Sequence, residues 1–473
     1  MHGQVIFITA KNKEIAMTLG KEILIRHGII VTVDEEDTIY EDGALLIRGD
    51  RIADIGDDRE LADKYPLIET VIDASQQAVI PGLINTHLHS GLIRGTAEDL
   101  PLFEWLIKHV DPMHKALRED EAYAAARLCY AEGLKSGTTC MMDMYRYMHR
   151  CADAAEELGN RVILAPYVAD KPGYDYFETM EANERLIRER NNTASGRIKV
   201  WVGLEHLVYC TGDAFKEAVR LAEKYDTGIH THGEESLEMA LRITRHYGRS
   251  PTRVFFDYGI LGPRTVLAHC VQVTSEEIDI IARTGTGVAH CPVSNMKLAS
   301  GAAPIPRFLE RGVNVGLGTD GVKENNNLDM FEEMKFASLL QKFHRLDATS
   351  MDANTTFRMA TIGGARTLGL DDEIGSLEVG KKADLVLVNL SALHTTPIMG
   401  GKYFNAVAHL VFAANGTDVE WVFVDGRPVV ADGELTTASE EDIIYQAQAA
   451  ADRLFERREP LVPRSVSIDN VEI

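Results

Sequence analysis

Eight short apolar runs, separated by longer stretches with helical spacing, set the tightest limit on what this chain can fold into. They are Leu83 to Asn85, Thr138 to Asp143, Val162 to Val168, Ile198 to Leu204, Gly228 to His230, Val266 to His269, Gly287 to His290 and Val313 to Thr319. Between them, stretches such as Glu119 to Leu134 and Ala214 to Lys224 carry apolar residues on one helical face and charges on the other. Strands alternating with helices make βαβ units and a parallel sheet. Eight such units predict an α/β fold, a (β/α)8 barrel of the TIM type, in which reactive side chains gather at the C-terminal ends of the strands.

The chain ends read differently. Ile23 to Ile25, Ile29 to Val33, Ala44 to Ile47 and Arg51 to Ile55 are short strand-like pieces, with turn signals at Asp42-Gly43 and Gly49-Asp50. The same pattern returns at Ala383 to Val388 and Trp421 to Gly426. The expected organisation is a small β-sandwich built from both chain ends (1–80 with 371–435), a barrel over 81–370, and a C-terminal helix and tail over 436–473.

Five of the apolar runs lead into metal-binding and acid–base side chains. His87-Leu88-His89 follows the first barrel run; His232 with Glu235, His269, His290 and Asp320 follow later ones. A His-x-His pair on extended backbone points both rings to one side, because side chains alternate with period two. Neutral imidazole and carboxylate are ligands that suit Zn²⁺. The expected ligands of one ion are therefore His87, His89, His232 and Asp320, with zinc first and iron or manganese allowed by the same set. Glu235, three residues after His232, is the expected proton shuttle, and His269 and Asp320 act with it. His230 is expected in the core, Glu234 at the surface, and His290 outside the ligand set. Strand four has Lys199 at its start and no lysine at its end, so a lysine bridging two metals is missing.

Composition narrows the partners. A formal charge of −23 argues against nucleic acid or an anionic membrane surface. No apolar run reaches the roughly 18 residues of a membrane span, and Met1 to Ile8 lacks the basic start of a secretory signal. Six scattered cysteines without a Cys-x-x-Cys pair suit reduced, buried thiols in a cytoplasmic protein.

Several longer motifs are recognisable. Pro81 to His89, Glu98 to Leu106, Ser294 to Leu298, Gly318 to Gly321, Asn325 to Met330 and Gly380 to Leu385 make the chain resemble the amidohydrolase superfamily, in the branch of methylthioadenosine/S-adenosylhomocysteine deaminases and s-triazine hydrolases. The resemblance implies the same ligands, Glu235 and His269 as the acid–base pair, Trp105 and His206 as substrate contacts, and a homo-oligomer. It also shows departures. His114 stands where nucleoside deaminases of this branch carry an acid that grips ribose hydroxyls, and Pro166 where an arginine is expected. Strand four ends Gly203-Leu204-Glu205-His206 in place of Gly-Pro-His, and Lys323-Glu324 replace small residues after Thr-Asp-Gly.

The expected activity is hydrolytic deamination of an aminated N-heterocycle (purine, pterin, pyrimidine or triazine type) at a cyclic-amidine C–N bond, with ammonia released by metal-activated water. The departures turn this expectation away from adenosine-type nucleosides. The alternatives are an s-triazine-type hydrolase displacing chloride or alkylamine, a methylthioadenosine/S-adenosylhomocysteine-type deaminase, and a non-catalytic metal-stabilised scaffold.

Overall fold

The computed structural model describes residues 6–8, 20–96 and 98–464. The first strands are β1 (Ile6–Ile8), β2 (Glu22–Val31), β3 (Ile39–Arg48), β4 (Arg51–Asp57), β5 (Thr70–Asp73) and β6 (Gln77–Pro81). Gly49-Asp50 forms the β3–β4 turn, with Gly49 at φ +65°, a conformation glycine adopts without steric cost. Asp42-Gly43, expected as a turn, lies inside β3 opposite Gly28 of β2. A Cβ on Gly43 would fall 2.8 Å from Ile30 Cδ1, so close packing rather than chain reversal accounts for this glycine.

The central region holds β7 (Leu83–Leu88), β8 (Thr138–Tyr145), β9 (Arg161–Pro166), β10 (Ile198–Val200), β11 (Val202–Gly203), β12 (Ile229–Gly233), β13 (Thr265–His269), β14 (Gly287–His290) and β15 (Val315–Leu317). They form two all-parallel sheets, β7 to β10 and β11 to β15. Every residue of β7, β8 and β9 is buried, as strands covered on both faces must be. The single run expected over Ile198 to Leu204 is broken at Trp201. Its N–H donates to Leu164 O at 2.9 Å, while Val202 N–H donates to Gly228 O at 2.8 Å. The chain thus crosses from one sheet to the other at this residue. At the opposite edges, Thr86 Oγ1 donates to Leu317 O at 2.8 Å and Asp320 N–H to His87 O at 3.0 Å.

The last strands are β16 (Leu385–Asn389), β17 (Val419–Val424), β18 (Arg427–Ala431) and β19 (Glu434–Leu435). β16 pairs antiparallel with β6, so the two chain ends share one ten-stranded sheet. Period two divides its side chains. Ile23, Ile25, Leu45 and Ile47 pack with Leu385, Leu387, Trp421 and Phe423, whereas Leu24, Ala44 and Leu46 pack against Leu61 and Val71.

This sheet is clamped to the central strands by charge. Arg161 of β9 donates from Nε to Asp384 at 3.0 Å and from Nη2 to Asp425 at 2.7 Å, with all three residues buried. The helix Glu440–Arg458 buries Ile443, Ala447, Ala450 and Leu454, one stripe at helical spacing. Its Gln446 Oε1 accepts from Arg127 of the helix Glu119–Lys135 at 2.8 Å. Among the described residues, no helix is long and apolar enough to cross a membrane.

Candidate active site

The carboxyl ends of β7, β12 and β13, with the loop after β15, deliver the histidines and the aspartate to one place. His89 Nε2 lies 3.2 Å from Asp320 Oδ1 and 3.2 Å from His232 Nε2, and His87 Nε2 lies 3.5 Å from Asp320 Oδ1. His269 Nε2 is 3.8 Å from Asp320 Oδ2. Asp320 and His269 hold positive φ, +60° and +71°. Such conformations are uncommon outside glycine and gather at functional sites. Close approach of backbone helps: a Cβ on Gly318 would sit 2.9 Å from His87 O.

Hydrogen bonds on the far side of each ring select its tautomer. His89 Nδ1 faces Met144 O at 2.7 Å and His232 Nδ1 faces Glu205 O at 2.5 Å, so both donate from Nδ1. His230 Nδ1 faces Val266 O at 3.1 Å, which leaves its Nε2 to accept from His87 Nδ1 at 2.8 Å. Each of the three Nε2 atoms therefore presents a lone pair. Burial, the largest influence on all three, depresses their basicity and keeps them neutral. Burial, the largest single influence, opposes ionisation of Asp320, yet its carboxyl is held well below the usual carboxylate range. Its carboxylate also accepts from Ser294 Oγ at 2.6 Å and Gly321 N–H at 2.8 Å.

These donors fit a divalent ion. His87 Nε2 is buried without a hydrogen-bond partner among the described residues, and one ring nitrogen from each of His87, His89 and His232 lies within 4.8 Å of the other two. Glu324 makes a further group with His89 and Asp320 inside the same limit.

A cleft of about 470 Å³, mouth included, opens beside this cluster and is lined by Trp105, Tyr167, Glu205, His206, Glu235 and Lys323 among others. Burial raises the Glu235 carboxyl above its ordinary value, with His269 opposing. His269 Nδ1 faces Asn295 Oδ1 at 3.1 Å, which fixes the ring. His206 Nδ1 accepts from Val208 N–H at 3.2 Å, so its Nε2 carries the proton. Trp105 is only 3% exposed yet lines the cleft, packing and facing the pocket at once.

Glu234 corrects the expectation of an exposed side chain. It is 1% exposed and accepts from Thr252 N–H at 2.6 Å and Thr252 Oγ1 at 2.8 Å, tying the Glu235 loop to the helix Pro251–Asp257. His290 is buried outside the cluster. His114 packs among Tyr145, Tyr167 and Phe177 and borders a small side cavity. Glu205 also lines the pocket, and in the sequence only its position beside His206 at a strand end signals this. A larger cleft, about 1280 Å³, lies against the helix Glu440–Arg458, away from the histidines.

The chain is similar to several known proteins. The chain is 42% identical over 87% of its length to 95% of a 5'-deoxyadenosine deaminase from Methanothermobacter thermautotrophicus. It is 36% identical over 92% of its length to the whole of a 5-methylthioadenosine/S-adenosylhomocysteine deaminase from Thermoanaerobacter pseudethanolicus. Among solved structures, an adenosine deaminase from Xanthomonas campestris with bound zinc superposes with a TM-score of 0.86 at 32% identity, covering 92% of this chain and 98% of that one. An atrazine chlorohydrolase from Arthrobacter aurescens complexed with zinc superposes at 0.82 with 26% identity, covering 91% and 100%. Residues 78–429 match the model of the amidohydrolase family, and with the relatives above this establishes that the chain belongs to that family.

Proposed function

We propose that the protein is a metal-dependent hydrolytic deaminase of an aminated N-heterocycle. The observation that carries this reading is the convergence of three imidazole lone pairs on an ionised Asp320, beside Glu235 and His269. The names of the relatives support it. His87, His89, His232 and Asp320 hold the ion, zinc by analogy with the zinc-bound neighbours. When bound, the ion supplies an acidified water as nucleophile near neutral pH.

The protein's own groups do the rest. A C–O bond forms at the ring carbon that bears the amine, the C–N bond breaks, and ammonia leaves. Glu235 takes one proton from the attacking water and passes it to the ring nitrogen, then carries the remaining proton of the added hydroxyl to the departing amine. A carboxyl raised by burial is suited to both tasks. His269, fixed by Asn295, hydrogen-bonds the attacking oxygen. Trp105 and His206 hold the ring, His206 by donating from Nε2.

The same reading extends to architecture. With β10 and β11 counted as one run, eight parallel strands close as a barrel through the β15–β7 and β9–β11–β12 seams, over 81–370. The mixed sheet folds over its own apolar core as a sandwich of 1–80 and 371–435, and 436–473 forms the C-terminal helix and tail.

A nucleoside of the 5'-deoxyadenosine type is the second reading, favoured by the 42% identity to a relative of that name. Ammonia release by the metal-loaded protein from adenosines, pterins, pyrimidines and triazines tests both. Release from at least one class supports the deaminase, and release from none refutes it.

A further inference from the structure

Three charged side chains set this cleft apart: Glu205, Lys323 and Glu324 all line it. Lys323 Nζ lies 2.5 Å from Glu324 Oε1, with both residues buried, so the cation is already committed to a carboxylate. Glu324 Oε2 and Glu205 Oε2 are both buried without a hydrogen-bond partner among the described residues. Two buried acceptors without partners are costly unless the ligand supplies donors. A carboxylate or phosphate on the ligand would instead meet two carboxyl groups in a poorly solvated pocket.

Position decides which donors these are. A carboxylate oxygen of Glu324 lies within 4.8 Å of the ligand atoms of His89 and Asp320. The backbone carbonyl of Glu205 holds His232 Nδ1 at 2.5 Å. Both residues line the same cleft as His89, Glu235 and Asp320, beside the centre where the attacked ring must lie. Resting on the deaminase reading of this site, we propose that Glu205 and Glu324 form a donor-reading subsite that selects heterocycles carrying a second amino or ring N–H group beside the amine that is lost. Lys323 holds Glu324 through Oε1 and leaves Oε2 to accept from the ligand.

The test compares matched ligands on the metal-loaded protein: 2,6-diaminopurine against adenine, melamine against a monoamino-triazine, and 5'-deoxyadenosine as the sugar-bearing arm. Ammonia release gives kcat/KM, and calorimetry gives Kd for the corresponding ring compounds that lack the leaving amine. Ligands with the extra N–H group should exceed their partners by about three- to tenfold, the worth of one hydrogen bond to a buried carboxyl oxygen. Glu205→Gln and Glu324→Gln should each erase most of that preference, read as the ratio of kcat/KM, and of Kd, for the paired ligands on the same variant. If one variant fails to fold, the other carries the test. Equal preference in the parent, or a preference untouched in a folded variant, overturns the proposal. So does a sugar preference that Glu205→Gln abolishes, because the carboxylate would then read hydroxyls. Binding preference without any ammonia release would leave the subsite standing and remove the deaminase reading, so the two failures are separable.

Discussion

His230 Nε2 sits 2.8 Å from His87 Nδ1, and its own Nδ1 faces Val266 O at 3.1 Å. The backbone carbonyl thus sets the tautomer of one histidine, which sets that of the next. His87 is left with its lone pair on Nε2, facing Asp320.

Replacing His230 should therefore damage the metal site without touching it. His230→Ala leaves His87 Nδ1 without its acceptor, and affinity for the ion should fall about 10–100-fold, as for other groups that orient a ligand. Competition with a chelator of known affinity reads this directly, and an unchanged affinity would count against the tautomer chain.

Glu235 is held protonated more readily than an exposed glutamate, because burial raises its carboxyl above the ordinary 4.5. A general base works when deprotonated, so kcat/KM should fall as pH drops, with its acid limb centred above 4.5. Glu235→Gln should lose about 10²–10⁴ in kcat and retain its metal. A pH–rate profile alongside metal analysis checks both.

Arg161 lies between Asp384 and Asp425 in a buried clamp between the shared sheet and β9. Arg161→Met leaves the buried Asp384 without its cation and Asp425 with only the longer contacts to Arg197 and Lys382, and should destabilise the fold by about 3–5 kcal/mol. Thermal unfolding measures the loss. Arg220→Ala, which breaks an exposed pair with Glu217, should leave the unfolding curve unmoved.

The βα rhythm and the strand-end chemistry were legible because both follow from local spacing. Apolar runs ending in His or Asp announce a strand and what it carries. Asp42-Gly43 misled because glycine serves close packing as well as turns, and only the β2–β3 register, with Gly28 opposite Gly43, tells them apart. Glu234 misled for a similar reason. Its burial depends on Thr252, eighteen residues away, whose hydroxyl and N–H no local pattern could pair with it. The tautomer chain was equally hidden, since its terminus is a main-chain carbonyl that carries no residue signature. Glu205 and the Lys323–Glu324 pair stood out only as departures from relatives, and their role needed the cleft.

Anomalous diffraction from crystals of the metal-loaded protein, recorded at the absorption edge of the bound ion, tests the central claim most directly. The account predicts one strong peak enclosed by His87, His89, His232 and Asp320. A peak elsewhere, or a second one of equal height between His89, Asp320 and Glu324, would contradict it.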